Sequence, residues 1–128
     1  MRYLLDTHTY LWLRDSPQKL PQKVLRLISD VSHQGLISLI TPWEIAVKTG
    51  AGKLNGTRLL VDFEKRETAV GFLIVSINVS QAIASGLLPR HHRDPFDRLL
   101  IAQALDLKVP ILGKDPAFDL YGVQRIWE

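Results

Sequence analysis

Apolar residues in this chain occur in two patterns, as short continuous runs and as longer stretches with helical spacing. The short runs predict five buried strands, at residues 2–5, 36–40, 72–77, 109–112 and 123–127. Spacings of three and four residues, with start and stop signals, predict helices over residues 9–14, 16–35, 41–49, 59–69, 80–87 and 94–107. The two kinds of element alternate along the chain.

This alternation predicts βαβ units, in which helices cover both faces of a mostly parallel sheet. The 128 residues suffice for one domain that buries a core, so we expect a single α/β domain over residues 1–128. In open parallel sheets, ligands bind at the edge where the strands end. Residues that directly follow strands are therefore the candidates for function.

Composition and charge exclude several classes of protein. The chain has no cysteine, which excludes disulfide scaffolds, thiolate zinc sites and cysteine nucleophiles. Its 16 Lys and Arg residues against 13 Asp and Glu give a net charge of +3, which suits a phosphate-rich partner. The longest apolar stretch is far shorter than the ~20 residues of a membrane span, and Asp6 interrupts any signal-peptide pattern. We expect a soluble cytoplasmic protein with no membrane partner.

Five acidic residues are predicted to lie at one edge of the sheet. Asp6 follows the first strand, and Glu44 lies in the first turn of the helix after the second strand. Asp94 and Asp97 begin the helix that leads into the fourth strand, and Asp115 follows that strand. These positions predict a cluster of carboxylates where the strands end.

Helix capping is the simplest explanation for each acid taken alone. Residues 41–44, Thr-Pro-Trp-Glu, have the pattern of a capping box, and Asp6, Asp94 and Asp115 stand where N-caps are expected. Two unit charges about 4 Å apart, however, repel by roughly 4 kcal/mol at an effective dielectric near 20. A helix N-terminus stabilises each nearby acid by only about 0.3–1 kcal/mol. A shared cation resolves the excess repulsion, and oxygen-only ligands favour Mg²⁺ or Mn²⁺.

Four segments around these acids form an ordered set that covers essentially the whole chain. They are LLDTH at 4–8, TPWEIAVK at 41–48 with GKL at 52–54, HRDPFDRLLIAQA at 92–104, and residues 111–118. The set, and the segment at 92–104 above all, resembles the PIN-domain ribonucleases of the VapC toxin type. The resemblance implies a PIN-like three-layer α/β/α sandwich.

The resemblance also implies an activity and its cofactor. It implies an endoribonuclease that depends on Mg²⁺, for which Mn²⁺ substitutes, and that hydrolyses RNA through a metal-activated water. The products expected are a 5′-phosphate and a 3′-hydroxyl. A cognate antitoxin protein and a homodimer are the implied partners besides RNA.

The matching motifs assign roles to the acids by resemblance. Asp6, Glu44, Asp97 and Asp115 correspond to the catalytic acids of the family, and Asp94 is an accessory metal ligand. Asp6 and Asp97 are the expected direct ligands. The other two catalytic acids either bind through water, position a second ion or orient the attacking hydroxide. One departure bears on a second ion, because Gly113 stands where related sequences often have Thr.

Basic residues near the acids have two interpretations. Arg93 and Arg98, in the basic stretch 90–98, either contact the RNA backbone or pair with the neighbouring acids. Lys48 either contacts phosphate or is a solvated lysine at a helix end. Contacts of this kind set affinity and register rather than sequence choice.

Three tryptophans are candidates for stacking on bases. They are Trp12, Trp43 and Trp127, of which Trp43, beside Glu44, has the best position for stacking. Core packing is nevertheless the expected role of all three.

Two other functions compete with the nuclease. In the first, the chain is a non-catalytic RNA- or protein-binding PIN-like module whose acids only cap helices. In the second, it is an α/β phosphatase or a receiver-type phosphoacceptor modified on Asp6. That class typically has a further acid close to the first, which the following Thr-His-Thr does not supply, and Lys114 is only a loose match to its lysine.

Overall fold

Five short apolar segments form one parallel sheet in the computed structural model, which describes residues 1–128. The strands lie in the order β3-β2-β1-β4-β5, and every neighbouring pair is parallel. They are β1 (Arg2–Leu5), β2 (Gln34–Ser38), β3 (Leu73–Val75), β4 (Ile111–Leu112) and β5 (Arg125–Ile126). The sheet is entirely parallel, where the sequence predicted a mostly parallel one.

Helices connect the strands and cover the sheet. They are α1 (Thr7–Asp15), α2 (Gln22–Ser29), α3 (Ile40–Gly50), α4 (Thr57–Leu60), α5 (Phe63–Ala69), α6 (Val79–Leu87) and α7 (Pro95–Leu107). Two 3₁₀ turns, Pro17–Lys19 and Pro116–Tyr121, complete the regular structure. None of the helices combines the length and the apolar character that crossing a membrane requires.

The strands bury both of their faces, as their continuous apolar sequence predicts. Tyr3 and Leu5 of β1 point into one core, and Leu4 between them points into the other. The first core also contains buried side chains from α1, α2 and α5, and the second contains those of α7. α6 packs against α7. The predicted three-layer α/β/α sandwich is confirmed.

The helix predicted over residues 16–35 is wrong at both ends. Pro21 forces Leu20 into an extended conformation, so α2 begins only after the proline. Val31, predicted on the apolar face, lies beyond the helix and is fully exposed. Gly35 does not end a helix but lies within β2, where a Cβ atom would stand 2.6 Å from the Phe72 ring.

The helix predicted over residues 59–69 is divided into α4 and α5. Between them, Asp62 adopts a left-handed conformation with φ of 51°, which aspartate tolerates better than most residues. The Arg66 guanidinium donates to the carbonyls of Leu59 and Val61, at 2.5 and 2.6 Å. This side chain therefore satisfies carbonyl groups that the end of α4 leaves unpaired.

The capping box predicted at residues 41–44 does not form. α3 begins at Ile40, so Thr41 and Glu44 are both within the helix. The backbone N–H of Ile40 donates to the Ser38 hydroxyl, and the Thr41 hydroxyl lies 3.3 Å from the hydroxyl of Thr7. Glu44 therefore faces the interior at the carboxyl edge of the sheet instead of closing on its own backbone.

A buried ionic network fixes α1 against α5. The Glu67 carboxylate is fully buried and accepts hydrogen bonds from the Tyr10 hydroxyl, at 2.6 Å, and from the Arg14 guanidinium. Burial and the hydrogen bond to Glu67 raise the pKa of Tyr10 to about 12. The position of α1 matters because His8 and Trp12 on this helix line a cavity at the carboxyl edge of the sheet.

Candidate metal centre

A cavity of about 440 Å³ opens at the carboxyl edge of the sheet, beyond the ends of β1 and β4. Three of the predicted acids line it, and each comes from a different segment of the chain: Asp6, Asp97 and Asp115. The other lining residues are His8, Trp12, Lys114, Pro116 and Phe118. The structure therefore brings together acids that are more than 90 residues apart in sequence.

Asp6 is positioned by the start of α1. Its Oδ1 atom accepts the backbone N–H of Thr9 at 2.8 Å, while the Thr9 hydroxyl donates to the carbonyl of Leu112 at 2.8 Å. Burial raises the pKa of Asp6, and the hydrogen bonds from Thr9 oppose that shift. Its Oδ2 atom faces Gly113 so closely that a Cβ there would lie 2.8 Å away.

Glu44 is a buried carboxylate with one oxygen unsatisfied. Its Oε2 atom accepts a hydrogen bond from Lys48 at 2.5 Å, whereas its Oε1 atom is buried without any hydrogen-bond partner. The hydrogen bond to Glu44 raises the pKa of Lys48, and the charges of Asp94 and Asp97 add to that effect. Glu44 therefore belongs to the same electrostatic cluster as the acids of α7.

The two acids at the start of α7 have different roles. Asp94 is the N-cap, and its Oδ1 atom accepts the backbone N–H of Phe96 at 2.9 Å. Asp97 lies one turn further and is largely buried. Burial raises the pKa of Asp97 to about 8, with further contributions from the charges of Asp94, Asp6, Glu44 and Asp115. All five predicted acids thus interact at Asp97.

His92 lies between two of these carboxylates, a position that sequence reasoning missed. Its Nε2 atom is 3.0 Å from Asp97 Oδ2 and 3.2 Å from Asp115 Oδ2. The backbone N–H of Asp94 donates to His92 Nδ1 at 3.2 Å. With Nδ1 accepting, the neutral imidazole carries its proton on Nε2 and directs it to the two carboxylates. The proximity of His92 to the motif acids was the available signal, but the sequence grouped it with the basic stretch.

Arg98 makes no ion pair with the neighbouring acids, which was one of its two predicted contacts. Its side chain is buried, and its guanidinium donates to backbone carbonyls of residues 85–92, among them Ser85, Leu88 and Pro89 at 2.8–2.9 Å. The predicted ion pair with the neighbouring acids is wrong, because these carbonyls already occupy the guanidinium. The same burial argues against a contact with RNA.

Arg93 is exposed and makes no ion pair with the neighbouring acids. It lines a separate cavity of about 580 Å³, together with Gly86, Arg90, His92, Pro95 and Arg98. All four ionisable residues in this lining are basic. The cavity adjoins the acidic cluster through His92, which contacts both.

The three tryptophans differ in exposure. Trp43 is 49% exposed and packs edge-on against Phe96, with ring centroids 4.9 Å apart. Trp127 is buried in the core, as expected, and packs against Trp12. Of the three, Trp12 is the one that lines the cavity with the carboxylates.

The donor set fits a hard divalent cation. A buried carboxylate oxygen without a partner, such as Glu44 Oε1, is costly unless a cation compensates it. One ligand atom each from His92, Asp97 and Asp115 lie within 4.8 Å of one another. Because the carboxylates supply oxygen ligands, the cluster is suited to a hard divalent ion.

The raised pKa of Asp97 predicts how stability depends on pH in the absence of metal. Between the ordinary pKa of an aspartate and about 8, the folded state holds a proton that the unfolded state releases. The stabilising effect of this protonation is therefore lost as pH rises through about 8. We expect Asp97→Asn to melt at a higher temperature than wild type above that pH in EDTA. The difference should shrink toward about pH 5, as thermal melts over a pH series will measure.

A variant that melts several degrees below wild type at alkaline pH would contradict this prediction. It would mean that the Asp97 carboxylate stabilises the fold, and that the repulsion within the cluster is already compensated by the chain.

Several solved structures share this fold. VapBC2 from Rickettsia felis, bound to a promoter DNA fragment, matches with a TM-score of 0.73 and 15% identity over 100% of both chains. DNA-bound VapBC from Salmonella typhimurium matches with a TM-score of 0.72 and 17% identity over 98% of this chain and 97% of that one. A toxin–antitoxin complex from Klebsiella pneumoniae matches with a TM-score of 0.59 and 18% identity over 89% and 87%.

Sequence comparison identifies the family. None of the curated proteins matches the chain at a significant level. The sequence model of the PIN domain, in contrast, matches residues 3–123, which include all five acids of the cluster. The chain therefore belongs to the PIN-domain family.

Proposed function

We propose that this protein is a divalent-metal-dependent endoribonuclease that acts as the toxin of a toxin–antitoxin module. The observation that carries the proposal is the convergence of Asp6, Asp97 and Asp115, from three separate segments, on one cavity, with Glu44 and Asp94 close enough for their charges to act on Asp97. Catalytic and metal-binding roles for Asp6, Glu44, Asp97 and Asp115, with Asp94 as an accessory ligand, follow from the PIN motifs.

Asp6 and Asp97 would hold the ion directly, and Glu44 Oε1 offers a further oxygen without a hydrogen-bond partner. A divalent ion in such a site supplies Lewis-acid activation of a water nucleophile and neutralises phosphate charge. Hydrolysis of the RNA phosphodiester by water leaves a 5′-phosphate and a 3′-hydroxyl. Mg²⁺ is the proposed cofactor, and Mn²⁺ is expected to substitute for it.

The other residues of the cluster orient the carboxylates. The Nε2 proton of His92 contacts Asp97 and Asp115, so it restricts the rotation of both side chains. Lys48 holds one oxygen of Glu44, and the other is buried without a hydrogen-bond partner. The Lys48 ammonium also offsets part of the negative charge that would otherwise repel an RNA phosphate.

Basic residues beside the cluster are suited to the RNA backbone. Arg90 and Arg93 are exposed and line the basic cavity next to His92. Lys48 is partly exposed beside Glu44 and is the third candidate for a phosphate contact. Such contacts supply affinity without reading sequence.

An antitoxin partner is proposed from the family and from the similar structures. A structure of the same fold from Klebsiella pneumoniae is a toxin–antitoxin complex, and two others are VapBC complexes on DNA. We propose that a cognate antitoxin binds this chain and blocks its acidic cavity. A cytoplasmic location is consistent with an RNA substrate.

One observation favours a non-catalytic PIN-like module as the alternative. Asp6, Asp94 and Asp115 do cap the elements that follow them, so capping alone accounts for their positions. Capping does not account for Glu44 and Asp97, which cap nothing and are largely buried. RNA hydrolysis separates the two functions.

Purified protein should cleave RNA only in the presence of Mg²⁺ or Mn²⁺. EDTA should abolish cleavage, and added Mn²⁺ should restore it. Asp6→Asn and Asp97→Asn should each lower the rate at least ~100-fold, because each removes a direct metal ligand and the loss of an outer-shell partner alone costs up to about 100-fold. The measurement is a cleavage time course on unstructured RNA, with the product ends identified.

Asp30→Asn is the matched control, because Asp30 is exposed and precedes β2 at the opposite edge of the sheet. It should cleave as wild type does. Equal cleavage by wild type and Asp97→Asn would refute the assignment of the active site. An absence of cleavage with every metal would favour the non-catalytic alternative.

Gly113→Ala should weaken metal binding, because the added Cβ would stand 2.8 Å from Asp6 Oδ2 and 3.0 Å from the Phe118 ring. We expect the Kd for Mn²⁺ to rise about tenfold, the lower end for changes around a metal ligand. Titration calorimetry measures this directly. Gly50→Ala, where the added Cβ meets nothing within 4 Å, is the control. An unchanged Kd in Gly113→Ala would show that Asp6 does not hold the ion in the position described.

Homodimer formation is proposed from the family, and the surface of α6 supports it. Val79, Ile83 and Leu87 form a stripe along this helix and are 75%, 59% and 80% exposed. α6 contains no charged residue, so two copies can meet through it without repulsion between like charges. An exposed apolar stripe of this kind is typical of a protein interface.

Ile83→Lys should convert the dimer into a folded monomer. The Ile83 side chain lies mostly outside the core, so the substitution buries a charge only in the dimer. Light scattering measures the mass. Val61→Lys, which changes an equally exposed valine outside α6, should remain dimeric. A monomeric wild type, or a dimeric Ile83→Lys, would contradict the proposed interface.

A further inference from the structure

The cavity that holds the carboxylates has a second wall of a different chemistry. Asp6, Asp97 and Asp115 form one side, and Trp12, His8 and Lys114 contribute the other lining groups. The nuclease proposal uses only the acidic wall. An aromatic ring this close to a phosphate-processing site is suited to contact the base attached to that phosphate.

Trp12 is held in place by its neighbours. Its ring packs at a tilt against Trp127, with centroids 5.8 Å apart, and against His8 at 6.2 Å. It is only partly buried, so part of the ring remains accessible from the cavity. A ring held in this way loses little conformational freedom when a base stacks on it.

Two lysines accompany the Trp12 ring. The ammonium groups of Lys19 and Lys114 lie 5.9 and 5.8 Å from its centroid. Both side chains are exposed, and neither ammonium forms an ion pair or a hydrogen bond in the structure. A cation–π contact at an exposed site is weak, so a phosphate can draw either ammonium away from the ring through a charge-assisted bond.

We propose that Trp12 is a base-stacking residue and that Lys114 and Lys19 bind the phosphates on either side of the stacked nucleotide. The inference rests on the proposed function, since it takes the scissile phosphate to lie at the carboxylates of the same cavity. A base within a duplex has both faces covered by its neighbours. Stacking on Trp12 therefore requires the nucleotide next to the cleavage site to be unpaired.

Trp12 is a better candidate than Trp43, although Trp43 is the more exposed of the two. Trp43 packs against Phe96 and does not line the cavity of Asp6 and Asp97. No lysine or arginine stands over its ring, unlike that of Trp12. Exposure alone would select the wrong tryptophan.

The test measures equilibrium binding rather than turnover. A fluorescent unstructured RNA oligonucleotide and a duplex of the same sequence are titrated with the full chain carrying Asp97→Asn, which suppresses hydrolysis under the proposal. In this background, Trp12→Leu should weaken binding of the unpaired RNA about tenfold, within the range measured for base–aromatic stacking. Trp12→Phe, which keeps an aromatic face, should stay within about threefold.

Two further variants test which tryptophan stacks on the base and whether Lys114 contacts a phosphate. Trp43→Leu is the matched control and should bind RNA as the parent does. Lys114→Gln should reduce the dependence of log K on log salt concentration by about 0.7, the value for one phosphate contact on a single strand. The parent should bind the unpaired RNA more tightly than the duplex.

Trp12 also packs against Trp127, so a melting curve accompanies every variant. Leucine keeps much of the apolar volume, and Lys114→Gln decides the case independently if Trp12→Leu fails to fold. A folded Trp12→Leu that binds as the parent does, equal affinity for duplex and unpaired RNA, or no binding of either probe would each overturn the inference. If the wild-type protein does not hydrolyse RNA, the nuclease proposal is refuted, but the binding measurements still test whether Trp12 and the two lysines bind RNA.

Discussion

Hydrogen bonds between carboxylates and backbone N–H groups fix the geometry of the whole cluster. Asp6, Asp94 and Asp115 each accept such a bond through Oδ1 at the start of a helical element. A carboxylate held by one oxygen cannot rotate freely, so its second oxygen keeps a defined direction. The parallel sheet then brings several element starts to one edge. Each of these side chains can therefore cap a helical element through one oxygen while its other oxygen remains available to the cluster.

Collecting these acids raises the free energy of the folded state, and the chain offsets part of it with a cation, a hydrogen-bond donor and a proton. His92 donates to two carboxylates, Lys48 pairs with Glu44, and the pKa of Asp97 rises to about 8. Arg98 contributes indirectly. Its guanidinium donates to the carbonyl of His92 itself, at 3.2 Å, and to carbonyls earlier in the same loop. It thereby fixes the loop that delivers the imidazole.

Local patterns were sufficient to predict the strands, the sheet edge and the acids, because each depends on residues close in sequence. One error overlooked a local signal, Pro21 before α2, and others arose where a distant residue decides. Position 35 lies in β2 and is a glycine, because the Phe72 ring leaves no room for a Cβ atom there. Arg98 serves distant carbonyls rather than the acid beside it. The position of His92 between two carboxylates depends on β4 and α7 meeting at one edge, which no local pattern encodes.

Asp6 in the acidic wall of the cavity and Trp12 in the aromatic wall are mechanically linked because both belong to α1 and its N-cap. Asp6 caps this helix and Trp12 lies within it, so the separation of the two side chains is set by helix geometry rather than by a flexible loop. The Thr9 hydroxyl joins the helix to the carbonyl of Leu112 in β4, and Glu67 holds its other end through Arg14. A displacement of α1 would therefore move the Asp6 carboxylate and the Trp12 ring together, and these two groups would keep their spacing.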